Sequence, residues 1–351
     1  MAVKAPLRFG AIGSGGAGTD RILQLARHAL GVQVVAAADL KPERLDNLEK
    51  QLGYSVARYT GPQDYRHVVD DHEVDAVGVF TPHVSHYEHV KYALQQGKHV
   101  LIEKPMVCGA AKAIEITRLL AASGRVGIIH YQRHYEPKFV KARELILKGA
   151  IGEVQTFYVY MAQDWAGREW RGDPALSGGG QLNDSGSHYQ DILLWMTDLL
   201  PASAQGFVDN WQRGTLREVE VDSMHNLELS NGAMGRMIIT GDILGGFQDD
   251  VRIRGTKGDV MFFGDNVLLR PHGGEIEQIT PVLPKGYPVS PCDNFVKLIR
   301  GRCRQNRVPF LFGCRVALLT EAMLRSGHSG GTKVTCKDIL REARLSMKDI
   351  Q

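Results

Sequence analysis

From residue 7 to residue 130 the chain repeats one unit: a short apolar run without polar alternation, then an amphipathic stretch of about ten residues. Apolar runs fall at 7–12, 34–38, 74–80, 99–103 and 126–130. Between them, Ile22, Leu25, Ala26 and Ala29 form one helical stripe. Leu45, Leu48 and Leu52 form another behind Pro42, with Gly53 as its stop. The spacing predicts further helices over 86–96 and 111–122, ended by Gly97 and Gly124. Strands apolar on both faces need cover on both faces, which parallel strands joined by helical crossovers supply. Right-handed crossovers then restrict the result to a doubly wound open sheet.

Beyond about residue 150 the pattern changes. A helix over 138–147 leads into a long alternating strand over 153–163. Strands are predicted at 205–211, 218–228, 233–240, 249–254, 259–263 and 267–270, with helices returning at 291–300 and 312–325. Strands in succession imply a mostly antiparallel sheet. The length of 351 residues suits two domains. We expect an α/β chain in which residues 1–130 form a Rossmann-type doubly wound parallel sheet. Residues 131–351 would form an α+β domain with a large open, mostly antiparallel sheet, its last helices available to pack back on the first domain.

Composition excludes other classes. The 42 basic and 39 acidic residues leave a net charge of +3, too weak a bias for a nucleic-acid or membrane-surface partner. No apolar run is long enough for a transmembrane helix, and the first residues lack the apolar segment of a signal peptide. The five cysteines form no CxxC pair, which suggests reduced thiols in a cytoplasmic protein.

The first apolar run ends in Gly13-Ser14-Gly15-Gly16-Ala17-Gly18, a G-x-G-x-x-G sequence between a predicted strand and a predicted helix. In that context the first glycine permits a tight turn, the second lets a pyrophosphate approach the backbone, and the third lets helix and strand pack closely. Asp39 ends the second run about twenty residues further on, where a carboxylate would accept from a ribose diol. A carboxylate repels a 2′-phosphate, so NAD is the expected cofactor, and Lys41 and Arg44 leave NADP as the alternative.

Thr81-Pro82, His86, Gly97-Lys98-His99-Val100 and Glu103-Lys104-Pro105 form a characteristic run. With Tyr131-Gln132-Arg133, Gly178-Gly179-Gly180 and Asp184-x-Gly186-x-His188-x-x-Asp191, the chain resembles the glucose–fructose oxidoreductase / inositol dehydrogenase / MocA family over nearly its whole length. The resemblance implies NAD or NADP, with Thr81, Pro82, His86, Glu103 and Lys104 beside the glycine loop and Asp39 in the cofactor site. It implies oxidation of a secondary hydroxyl of a sugar, cyclitol or related polyol, or reduction of the ketone. It also implies a homodimer or homotetramer formed through the C-terminal sheet. His83, His130 and Tyr131 depart from the commoner pattern and put substrate identity in doubt.

Hydride transfer from a CHOH carbon needs an oriented cofactor, a base for the hydroxyl proton and a donor for the developing alkoxide. Lys104 ends a parallel strand, where ligands bind, and is the candidate for polarising the substrate oxygen. Asp184, His188 and Asp191 fall on one face if the segment is helical. His188 is the candidate base, since an ordinary histidine near pH 6.5 is neutral at working pH. Asp184 is its partner, and Asp191 is expected to orient the substrate or His188. Trp165 and Arg168, in the loop over 164–173, and Arg133, after a strand end, are candidate substrate contacts. His83, His86 and His89 spread around a helix and are not expected to hold a metal. Two other readings share these residues: a redox-neutral sugar-modifying enzyme that retains NAD and cleaves a glycoside through a transient ketone, and a non-catalytic NAD sensor. A sensor could dispense with Lys104, Asp184 and His188, and all three are present.

Overall fold

The computed structural model describes residues 5–165 and 167–351. Residues 1–4 and Ala166 lie outside the described residues. The chain divides into two compact units. One comprises residues up to 107, 112–131 and 288–310; the other comprises 108–111, 132–287 and 311–351.

In the first unit, β1 (Leu7–Ile12), β2 (Val32–Ala38), β3 (Ala57–Tyr59), β4 (Ala76–Val79), β5 (His99–Ile102) and β6 (Gly127–Ile129) form one parallel sheet. Its order is β3-β2-β1-β4-β5-β6, so the strand order reverses between β1 and β4, the place where such sheets bind ligands. The unbroken apolar runs are buried as expected: Phe9, Ala11, Val77 and Val79 are wholly inaccessible. The connecting helices are α1 (Gly16–Ala26), α2 (Pro42–Leu52), α3 (Tyr65–Asp70), α4 (His86–Gln95) and α5 (Ala110–Ser123). Pro42 opens α2 and Gly53, at φ 79°, ends it. The sequence did not reveal β3 or α3. β3 is a three-residue edge strand, Ala-Arg-Tyr, with no fully buried position, and α3 spans only six residues.

The second unit is built on a nine-stranded sheet. Its strands are β7 (Val154–Asp164), β8 (Pro201–Asp209), β11 (Asp222–Leu229), β12 (Met234–Thr240), β13 (Asp242–Gly255), β14 (Gly258–Phe263), β15 (Asn266–Pro271), β16 (Glu277–Ile279) and β17 (Val334–Thr335), while β9 (Trp211–Gln212) and β10 (Thr215–Leu216) form a separate hairpin. The order is β16-β15-β14-β13-β7-β12-β11-β8-β17, antiparallel among the described residues except for β7 beside β12. The predicted strand over 249–254 is the end of the longer β13. Its first half carries Gly245 and Gly246 at positive φ and a register shift against β7, which erases the alternation. The helices of this unit are α6 (Pro137–Leu147), α7 (Pro174–Ser177) and α8 (Gly186–Thr197); α8 packs on α6 and β7. α9 (Pro291–Ile299) belongs to the first unit, against α1, β5 and β6. α10 (Phe310–His328) and α11 (Cys336–Glu342) close the chain. No helix among the described residues is long and apolar enough to cross a membrane.

Candidate active site

The glycine loop sits between β1 and α1. Gly13 has φ 90°, and a Cβ there would lie 2.7 Å from the Phe80 carbonyl oxygen. A Cβ on Gly18 would lie 2.8 Å from the Gly13 carbonyl oxygen, so helix and loop touch backbone to backbone. At Gly16 a Cβ would meet nothing within 4 Å, so the loop crest is open. The first-turn N–H groups of α1 have no intrahelical acceptor. An open crest with unengaged donors at a helix N-terminus fits a pyrophosphate. Ser14 and Asp39 lock the loop: the Ser14 N–H donates to Asp39 Oδ2 at 2.7 Å and its hydroxyl at 3.2 Å. Asp39 Oδ1 accepts from the Lys41 N–H at 3.0 Å, and the Arg44 guanidinium lies 3.7 Å away. A carboxylate has about four acceptor positions, so this leaves capacity for a ribose hydroxyl. Ala17 lies within the first turn of α1.

We expect Gly13→Ala to weaken NAD binding by tenfold or more and to cost about 1–3 kcal/mol of stability, because both the positive φ and the Phe80 backbone oppose a side chain. Cofactor titration by fluorescence and thermal unfolding check this; wild-type affinity would remove the loop from the cofactor site.

Lys104 follows β5. In the stretch 100–107 every residue is buried except Lys104, which is half-buried. Glu103 is held behind it. Its Oε1 accepts from Arg21 Nε at 3.0 Å, and its Oε2 accepts from the Lys104 N–H at 3.1 Å. Burial works against the Glu103 charge, but His130, Arg21 and Lys104 outweigh it and hold its pKa below the usual range. His130 is buried 3.6 Å from Glu103, and burial pulls its pKa down to about 4. His86 needs a correction. It was expected to touch cofactor, but it is wholly buried. Its ring nitrogens lie 2.9 Å from the Pro105 carbonyl oxygen and 2.8 Å from that of Thr81. Burial lowers its pKa, against the opposing pull of these two carbonyl oxygens. His86 therefore ties Pro105, next to Lys104, to Thr81, which follows β4. Thr81 and Pro82 remain half-buried, with the Thr81 hydroxyl 3.0 Å from His89 Nδ1.

α8 begins at Gly186, so Asp184 lies in the turn before it and not on its face. Within α8 every residue is buried except His188, which is half-buried. Asp184 is buried, and its Oδ2 accepts from Trp165 Nε1 and Arg171 Nε, each at 3.0 Å. Two further expectations are corrected here. Trp165 is 4% exposed, in a cluster with Val219 and Val221, and its Nε1 holds Asp184. Asp191 is 1% exposed, with Oδ2 2.8 Å from His134 Nε2, in a pair stacked on Trp195. The expected role toward substrate or His188 is thus replaced at Oδ2 by the bond to His134. Arg171, in the same polar loop as Trp165, meets Asp184 as well. Its guanidinium lies on Trp170 at 4.5 Å while Nε engages Asp184, and only the general suitability of forked donors pointed to it. Arg168 is exposed. Arg133 lies over the Tyr189 ring at 4.6 Å and donates to its hydroxyl at 3.2 Å; that hydroxyl donates to Asp249 at 2.7 Å. No group of three metal-ligating side chains occurs among the described residues.

A doubly wound parallel sheet whose first strand leads through an open glycine loop into a helix N-terminus is the fold of dinucleotide-binding proteins. Residues 7–131 match the oxidoreductase family with NAD-binding Rossmann fold, and residues 139–261 match the GFO/IDH/MocA C-terminal domain. The chain belongs to this family. It is 30% identical over 154 residues to an inositol 2-dehydrogenase/D-chiro-inositol 3-dehydrogenase of Lactiplantibacillus plantarum, covering 44% of this chain and 43% of the relative. It is 24% identical over 261 residues to a levoglucosan dehydrogenase of Pseudarthrobacter phenanthrenivorans, covering 67% and 65%. These matches thus span less than two thirds of either relative. An inositol dehydrogenase homolog from Azotobacter vinelandii, solved with NAD+, shares the fold at a TM-score of 0.80 and 20% identity, over 95% of this chain and 98% of that one.

Proposed function

We propose that the protein is an NAD-dependent dehydrogenase acting on a secondary hydroxyl of a sugar, cyclitol or related polyol, or on the corresponding ketone. The observation that carries this reading is the shared burial pattern of Lys104 and His188. Each is the one half-accessible residue in an otherwise buried segment, and they are the cation and the base that the reaction needs. Bound NAD supplies the hydride acceptor. The crest at Gly15 and Gly16, with the first turn of α1, would hold its pyrophosphate, and Asp39 its ribose. Lys104 donates to the substrate oxygen as alkoxide character develops. His188 takes the hydroxyl proton. Arg171 and Trp165 both donate to one oxygen of Asp184 and so fix its carboxyl group in place. The role of Asp184 is that of a partner to His188, holding the substrate hydroxyl or Lys104. Support for a polyol comes from the names of the relatives, two of which are cyclitol and anhydrosugar dehydrogenases.

A screen of sugars, cyclitols and sugar acids with NAD and NADP in parallel, read as reduced-cofactor absorbance, tests the reading. Turnover with NAD is expected. No turnover with any polyol under either cofactor would overturn it.

Arg171→Ala should lower kcat by about 10- to 100-fold with NAD affinity unchanged, since it removes a charge-assisted bond from a buried carboxylate. Unchanged kcat would detach Asp184 from the chemistry. We also propose a homodimer or homotetramer through the nine-stranded sheet, where Phe207 and Met224, directly paired across β8 and β11, stand exposed. Light scattering would read this. A cytoplasmic location accords with the five reduced cysteines.

A further inference from the structure

Glu220 is a buried carboxylate that nothing above uses. It is 2% exposed, and only backbone N–H groups oppose the effect of burial on its charge. Burial pushes its pKa up to about 7. Such a group is costly to keep, so what it holds is informative.

It holds the turn that precedes α8. The Gly180 N–H donates to its Oε1 at 2.6 Å, and the N–H groups of Leu182 and Asn183 also favour its charge. Its own carbonyl oxygen accepts from the Gln181 N–H at 2.9 Å. The approach is so close that a Cβ on Gly180 would lie 1.8 Å from that carbonyl oxygen, which accounts for the last glycine of the run at 178–180. From this anchor the turn runs directly to the candidate site. The Gly180 carbonyl accepts from the Asp184 N–H at 2.9 Å, and the Gln181 carbonyl accepts from the Gly186 N–H at 2.9 Å, at the start of α8. The flanking Val219 and Val221 pack with Trp165, whose Nε1 grips the Asp184 carboxylate. One three-residue segment thus fixes Asp184 twice, through its backbone and through its side chain.

Resting on the dehydrogenase reading, we infer that Glu220 is a positioning residue for the reaction: its carboxylate gathers the N–H groups of the 180–183 turn and so sets where Asp184 and His188 stand. A displacement of about 1 Å at reacting groups can cost about 100-fold in rate. Glu220 lies in the second unit and the glycine loop in the first, so disturbing it should spare cofactor binding.

The test compares wild type with Glu220→Gln, which keeps the shape and one acceptor oxygen, and Glu220→Asp, which keeps the charge on a shorter stem. Folding is checked by circular dichroism, and kcat is expressed per NAD-binding site. In Glu220→Gln we expect kcat to fall about 10- to 100-fold while KM for NAD changes less than about twofold. Glu220→Asp should recover part of that loss. Folded Glu220→Gln with wild-type kcat would overturn the inference and leave the dehydrogenase reading standing. So would equal losses in kcat and NAD affinity, since that pattern marks general damage. If Glu220→Gln does not fold, the decision passes to Glu220→Asp: lowered kcat at unchanged KM for NAD supports the inference, and unchanged kcat or no folded protein overturns it. Wild-type protein that oxidises no polyol would sink the dehydrogenase reading and the inference with it.

Discussion

Replacing His188 by alanine is expected to lower kcat for polyol oxidation by about 10²- to 10⁴-fold, while NAD affinity stays within about twofold of wild type. The magnitude is that of a lost general base. The selectivity follows from placement. His188 is on α8 in the second unit, and the residues proposed to hold the pyrophosphate are on β1 and α1 in the first. The variant should also fold. His188 is the half-accessible residue of α8, so truncation leaves a gap at the helix surface and not inside its packing. Steady-state kinetics with a cofactor titration check both halves. Near-normal turnover would show that the proton leaves by another route.

Lys104→Met is expected to cost about 10²- to 10³-fold in kcat, the loss typical of removing one preorganised donor to a developing oxyanion. Methionine preserves most of the stem's volume, so the bonds of Glu103 and His86 beside this position should persist. The two substitutions differ in what they leave behind. Without Lys104, the base is intact but the alkoxide has no cation; without His188, the proton has no acceptor. Both should therefore lower kcat, and neither should abolish binding of the cofactor. If Lys104→Met lost NAD affinity and kept kcat, Lys104 would be a cofactor ligand alone.

The sequence exposed the parts of this site that depend on residue type at fixed spacing. The loop from Gly13 to Gly18 was legible because only glycine tolerates φ 90° beside the Phe80 backbone or packs directly on the Gly13 carbonyl. Lys104 is proposed from its place at the end of an apolar strand, and His188 from its motif. What escaped depends on contacts between distant segments. Arg171 meets Asp184 across a loop, and Glu220 meets Gly180 from forty positions away; no local pattern announces either pair. Helical periodicity also misled at two places. It put Asp184 inside a helix that starts at Gly186, and it read Asp191 as part of a polar face. α8 is buried nearly all round, so its wheel has no solvent side, and Asp191 finds its partner in His134. Trp165 looked like a sugar platform because loop aromatics often are, yet it follows β7 directly and is drawn under the chain by Val219 and Val221.

The most direct measurement follows the hydrogen itself. A polyol found in the screen, deuterated at its reacting carbon, is incubated with the protein and NAD, and the cofactor is analysed by mass spectrometry. Net formation of reduced nicotinamide carrying one deuterium per ketone produced is the expected result. Product formed with no net reduction of NAD, or reduced cofactor without deuterium, would contradict hydride transfer from a polyol carbon to the nicotinamide as the reaction this protein performs.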